Sequence, residues 1–175
     1  MLPLCLPRLR QTFNYDCGAK ALQSVLVYYG IEVREDLLLK EAGTSEDGTM
    51  IDHLVSTAEQ HGLQTDSKQM TIEDVKMYLD RRIPVILVLQ AYKEDPQVDW
   101  EQDWEDGHYV VAIGYTEDKV LFEDPSSFEH TYLGYDELEK RWHDVDVVGQ
   151  KYLHHGIAIY GAEPRFQPDE LVHMG

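Results

Sequence analysis

A chain of 175 residues with 43% hydrophobic and 10% aromatic side chains can bury a sizeable core, which excludes disorder throughout. Its formal net charge of −18 opposes docking on nucleic-acid phosphates or anionic lipid and favours basic partners. Two cysteines, Cys5 and Cys17, do not form a disulfide framework and point to a reducing, cytoplasmic setting.

No segment approaches the roughly 20 apolar residues of a membrane span, and the start of the chain is too short and proline-rich for a signal peptide. Asp16 stands where a helix cap belongs, ahead of a helix from Cys17 to about Tyr29 that Gly30 ends. Leu22, Val25, Leu26 and Tyr29 give that helix one apolar face. A second helix is expected over 34–41. A third starts at Thr49 or Asp52 and stops at His61-Gly62, and a fourth opens on a capping box from Thr71 to Asp74. The apolar, β-branched run 83–89 then predicts a buried strand. Strands are also expected over 108–115, 120–123 and 156–160, with a short helix over 135–142. Helices first and strands after predict an α+β fold with an antiparallel sheet. One domain over 1–175 is expected, with 163–175 as a polar surface tail.

Residues 93–106 form a loop rich in Asp and Glu that also carries Trp100 and Trp104. Two uses are open to it: a substrate-facing rim before His108, or a loop pinned to the body by its tryptophans.

The chemistry concentrates elsewhere. Cys17 falls in the first turn of its helix, where unpaired amides gather and favour a thiolate. Gly18 beside it keeps the approach to the sulfur open. Gln11 lies one short polar loop earlier. Its side-chain amide, folded back and joined by the Cys17 backbone N–H, supplies two donors for an oxyanion. His108 opens a strand after Gly107, and Asp124 ends the next strand before Pro125. Both stand at equal distance from Thr116, so a hairpin around 116–119 sets them across from one another. There the carboxylate orients the imidazole. Nucleophile, base, orienter and oxyanion donor are thus all present.

The segments Gln11, Asp16-Cys17-Gly18, Tyr28-Tyr29-Gly30, Gly107-His108-Tyr109-Val110-Val111 and Asp124-Pro125 resemble those of the bacteriocin-processing peptidases. These are papain-like cysteine peptidases, usually found at the N-terminus of peptide-exporting ABC transporters, that cleave leader peptides after a double glycine. The resemblance spans roughly residues 8–160. It implies Cys17 as nucleophile, His108 as general base, Asp124 as its orienter and Gln11 as oxyanion donor, acting on a peptide or protein without a cofactor or metal. Lys20 departs from the small residue usual there; it either points to water or adds positive charge near the sulfur. No transporter region follows, so a freestanding peptidase is expected, with a basic or amphipathic substrate. Three other readings compete: an acyl or peptidyl transferase on the same scaffold, an inactive peptide-binding module, and a metal site built from His143, Asp144, Asp146, His154 and His155.

Overall fold

The computed structural model describes residues 1–175. Its first helix, α1 (Cys17–Tyr28), ends where Gly30 takes a φ of 81°. Leu22, Val25 and Leu26 are fully buried on its inner face. The helices α2 (Glu35–Glu41) and α3 (Ile51–Gln60) follow. The strand β1 (Gln64–Gln69) then leads to α4 (Ile72–Asp80), which carries the expected capping box. There the Thr71 hydroxyl accepts from the Asp74 amide at 3.1 Å, and the Thr71 amide donates to the Asp74 carboxylate at 2.8 Å.

The run around Val85 forms β2 (Val85–Gln90), buried at every position because it lies between two other strands. It is followed by β3 (Gly107–Tyr115), β4 (Lys119–Glu123), β5 (Thr131–Gly134) and the helix α5 (Tyr135–Arg141). Three strands close the order: β6 (His143–Val145), β7 (Lys151–Leu153) and β8 (His155–Tyr160). Six strands make one antiparallel sheet in the order β1-β8-β2-β3-β4-β5, and β6 and β7 pair separately. The α+β expectation therefore holds. Helix α1 packs on β3, α3 on β1, and α4 on β2 and β3.

Four strands carry no sequence signature. β1 is a polar edge strand with no buried residue, and β5 is a short edge. β6 and β7 have three residues each, too few for an alternation to register.

The hairpin of β3 and β4 contains an extra residue. Ala112 faces Phe122, but Gly114 faces Leu121, so Ile113 bulges out of register. Its carbonyl accepts from the Leu4 amide at 2.7 Å, which ties the N-terminal arm to the bulge. At the other end of the chain, the amides of Arg165 and Phe166 donate to the Tyr28 carbonyl, so the tail wraps over the end of α1 before running out exposed.

Candidate active site

Cys17 starts α1 with its sulfur partly exposed. Asp16 occupies the cap position, but its carboxylate makes no bond to the helix, contrary to expectation. It is fully buried and turned back, accepting from the amides of Thr12 at 2.9 Å and Phe13 at 3.0 Å. Asp16 thus shapes the loop that carries Gln11. The first amide of the helix to find an acceptor is Lys20, on the Asp16 carbonyl at 3.0 Å. The amides of Cys17, Gly18 and Ala19 remain without acceptors beside the sulfur.

Gly18 serves a closer purpose than leaving room around the thiol. A Cβ there would lie 2.9 Å from the Tyr109 ring of β3. That ring is buried, and its hydroxyl donates to the Thr49 carbonyl at 2.7 Å, so it has nowhere to go. The absent side chain lets α1 settle against the strand that bears His108. Gly18→Ala is expected to lower unfolding free energy in urea by about 1–3 kcal/mol, the overpacking cost outweighing alanine's better helix propensity. Slower alkylation of Cys17 accompanies the loss, and an unchanged midpoint and rate would refute this account.

His108 is buried and hydrogen-bonded to Asp124. Its Nε2 meets the Asp124 Oδ1 at 2.7 Å, and Cys17 lies close enough to influence its charge. Burial alone would push the imidazole down. The bond to Asp124 and the neighbouring Cys17 prevail and raise it to about 9. Burial likewise opposes ionisation of Asp124, yet His108, Tyr92 and the Ser126 amide together hold its carboxyl below the ordinary 3.8. Asp124 is 2% exposed and accepts from four donors. They are His108 and the Ser126 amide at 2.8 Å on Oδ1, and the Tyr92 hydroxyl and the Thr131 hydroxyl at 3.2 Å on Oδ2.

The hairpin joins this pair in an offset way. Counting equal steps from Thr116 puts His108 and Asp124 directly across from one another, and the observed register does not. β4 ends at Glu123, which faces Val111, so the next step along the chain sets Asp124 against Val110. His108 and Asp124 are diagonal neighbours on one face, within reach of two side chains.

Gln11 stands close by through its backbone, whose amide donates to the Pro125 carbonyl at 2.9 Å. Its side chain does not bond Cys17. The Nε2 donates to the Phe13 carbonyl at 2.7 Å and the Oε1 accepts from Ser126 at 2.7 Å. One amide hydrogen is thereby committed, and the second has no acceptor. Lys20 does not point to water: it is buried, with its ammonium 3.0 Å from Gln23 and 3.5 Å from Glu35.

Beside Cys17 opens a cavity of about 320 Å³ whose lining includes Gly107, Tyr109 and Thr49. Five carboxylate residues also line it, Glu46, Asp47, Glu105, Asp144 and Asp146, and no Lys, Arg or His does. Asp144 is pushed up to about 6 by burial, against bonds from the Val145 amide and Gln90. It also explains Gly107: a Cβ there would meet its carboxylate at 2.5 Å. The histidines once grouped with it disperse. His143 contacts the Asp103 carbonyl, His154 stacks on Trp142 and His155 pairs with Ser67.

The acidic loop is pinned to the body. Trp104 packs on His143 with Lys151 over it, and Arg141 lies 4.0 Å from the Trp100 ring centre. Lys93 pairs with Asp103 at 2.6 Å and Asp106 at 3.1 Å. Of this loop only Glu105 reaches the cavity.

The profile of the Peptidase C39 family matches residues 6–151, most of the chain. The chain belongs to the Peptidase C39 family. It is 24% identical over 139 residues to the pediocin PA-1 transport/processing ATP-binding protein PedD of Pediococcus acidilactici. That match covers 79% of this chain but only 18% of PedD. Among solved structures, the peptidase domain of Streptococcus ComA, a bifunctional ABC transporter of a quorum-sensing pathway, superposes with a TM-score of 0.68. Identity is 22%, covering 90% of this chain and 98% of that domain. A double glycine motif protease from an AMS/PCAT transporter, solved with its leader peptide, also gives 0.68, at 18% identity over 93% and 94% of the two chains. These likenesses establish a C39-type, papain-like fold. No helix here is long and apolar enough to cross a membrane.

Tyr92 is the contact that sequence reasoning missed. A lone tyrosine after a strand belongs to no motif, and only the folded chain brings it to Asp124.

Proposed function

We propose that the chain is a cysteine peptidase whose Cys17 attacks a peptide carbonyl and carries the acyl group as a thioester. The observation that carries this reading is a buried imidazole bonded to Asp124, with Cys17 near enough to raise its affinity for a proton. Raised to about 9, His108 is cationic at neutral pH and has a proton for the departing amine. Once neutral, it takes a proton from the water that cleaves the thioester, returning the site to its starting state. The Cys17 amide and the uncommitted Nε2 hydrogen of Gln11 receive the oxyanion in both steps.

The substrate is a peptide, by analogy with the leader peptide bound in the double glycine motif protease. Carboxylates around the cavity favour a segment with Lys or Arg beside the scissile bond. Both cysteines are free, in keeping with action in a reducing compartment such as the cytoplasm.

Alkylation by iodoacetamide tests the reading without knowledge of the substrate. Cys17 should react at least about tenfold faster than the exposed Cys5 near pH 7, and His108→Ala should remove the advantage. A peptide panel read by mass spectrometry should show cleavage, faster with Lys than with Glu beside the bond. Equal slow labelling of both thiols and no cleavage would instead mark a binding module.

A further inference from the structure

We infer that Tyr92 is a positioning residue for the His108–Asp124 pair, its hydroxyl fixing the carboxylate and its ring closing the pair to water. This rests on the peptidase reading above and adds to it a residue outside the four that carry the chemistry.

Three independent observations converge on Tyr92. Its hydroxyl donates to Asp124 Oδ2, the oxygen that His108 does not use. Its ring meets the His108 ring edge-on, with centres 5.4 Å apart and planes at 80°. Its backbone takes a φ of 65°, which side chains larger than glycine seldom adopt. The residue is also 55% exposed, so an aromatic ring is left largely in water while its polar end points inward. Burying apolar surface does not explain that arrangement; holding a carboxylate does.

The chain on either side is clamped to maintain it. The Ala91 amide donates to the Asp106 carbonyl at 3.0 Å, and Lys93 holds Asp103 and Asp106. The base of the acidic loop thus brackets Tyr92, which gives the loop a structural purpose at the site. With Oδ2 held by Tyr92 and Thr131, Oδ1 is presented to His108. The titratable and charged groups around the imidazole are Cys17, Asp124 and Tyr92, with Glu123 and its partner Arg10 one residue further along.

Removing the ring admits water, which both relieves the burial that opposes charge on the imidazole and weakens its bond to Asp124, so the titration of the pair changes. Tyr92→Phe keeps the ring and loses only the hydroxyl, which separates the two contributions.

The test measures kcat and KM on a cleaved peptide, together with the pH profile of Cys17 alkylation, for wild type, Tyr92→Phe and Tyr92→Ala. Tyr92→Phe should lose roughly 3- to 10-fold in kcat at unchanged KM, with the alkaline limb in place. Tyr92→Ala should lose roughly 10- to 100-fold, with the alkaline limb displaced from its wild-type position. A merely structural role would lower the melting temperature without that split. Both variants within about twofold of wild type, on unmoved profiles, would overturn the inference while leaving the peptidase reading intact. If wild-type Cys17 labels no faster than Cys5, the peptidase reading itself fails, and this inference with it.

Discussion

Cys17→Ala is expected to abolish peptide cleavage, a loss of at least about 10⁴-fold, because no other group at the site can carry the acyl chain. Stability should hardly change. The thiol is partly exposed at the first position of α1, and alanine is the best helix former, so the variant should unfold within about 1 kcal/mol of wild type. Circular dichroism melts beside a cleavage assay supply both numbers. Cleavage that survives the substitution sinks the nucleophile assignment; a collapsed melt would mean that Cys17 supports the fold.

Asp124→Ala should fail in both measures. It strips the imidazole of its partner and leaves the Tyr92 and Thr131 hydroxyls, the Ser126 amide and His108 without an acceptor. A rate loss of about 10³-fold is expected, together with destabilisation of roughly 2–4 kcal/mol. The pH dependence of wild-type stability follows from the same pair. Folded His108 holds its proton up to about 9, whereas the unfolded imidazole releases it near 6.5. Its contribution is therefore full below 6.5 and fades as pH rises through 9. Asp124 runs the other way: its folded value lies below 3.8, so its contribution is present above 3.8 and fades as pH falls through the folded value. In Asp124→Ala burial opposes the charged imidazole with only Cys17 left to favour it, so the decline between pH 6.5 and 9 should shrink. Thermal melts across pH 5–10 would show it. A variant with the wild-type slope would contradict the assigned origin of the shift.

What was legible in the sequence was what local chemistry expresses. Helix α1 announced itself through Leu22, Val25 and Leu26, α4 through its capping box, and β2 through an unbroken apolar run. Cys17, His108, Asp124 and Gln11 stood out because each residue type sits beside a turn or helix start that suits its chemistry. The illegible parts depend on partners distant in the chain. β1 has no apolar face because its stability comes from pairing with β8 at the sheet edge. Asp16 looked like a helix cap because capping is read within a few residues, yet the amides of Thr12 and Phe13 compete for it and win. Tyr92 has no local meaning at all. The cavity's carboxylates come from the loop after α2, from the loop before β3 and from β6 with the residue after it, so their convergence could not be seen along the chain.

The bulge at Ile113 makes the site a question of parity. Strand faces alternate with every residue, and one extra residue in β3 decides whether Asp124 shares a face with His108 or lies on the opposite one. Without it, the register that pairs Gly114 with Leu121 would run on unbroken and bring Asp124 against Val111. The carboxylate would then face away from the imidazole, with every residue of the site still present in the chain. A chain with the right cysteine, histidine and aspartate would therefore be built wrongly if β3 kept all its residues but paired with β4 without the bulge. In judging which relatives of this chain retain the site, the register of the hairpin that carries His108 and Asp124 counts for as much as the residues themselves.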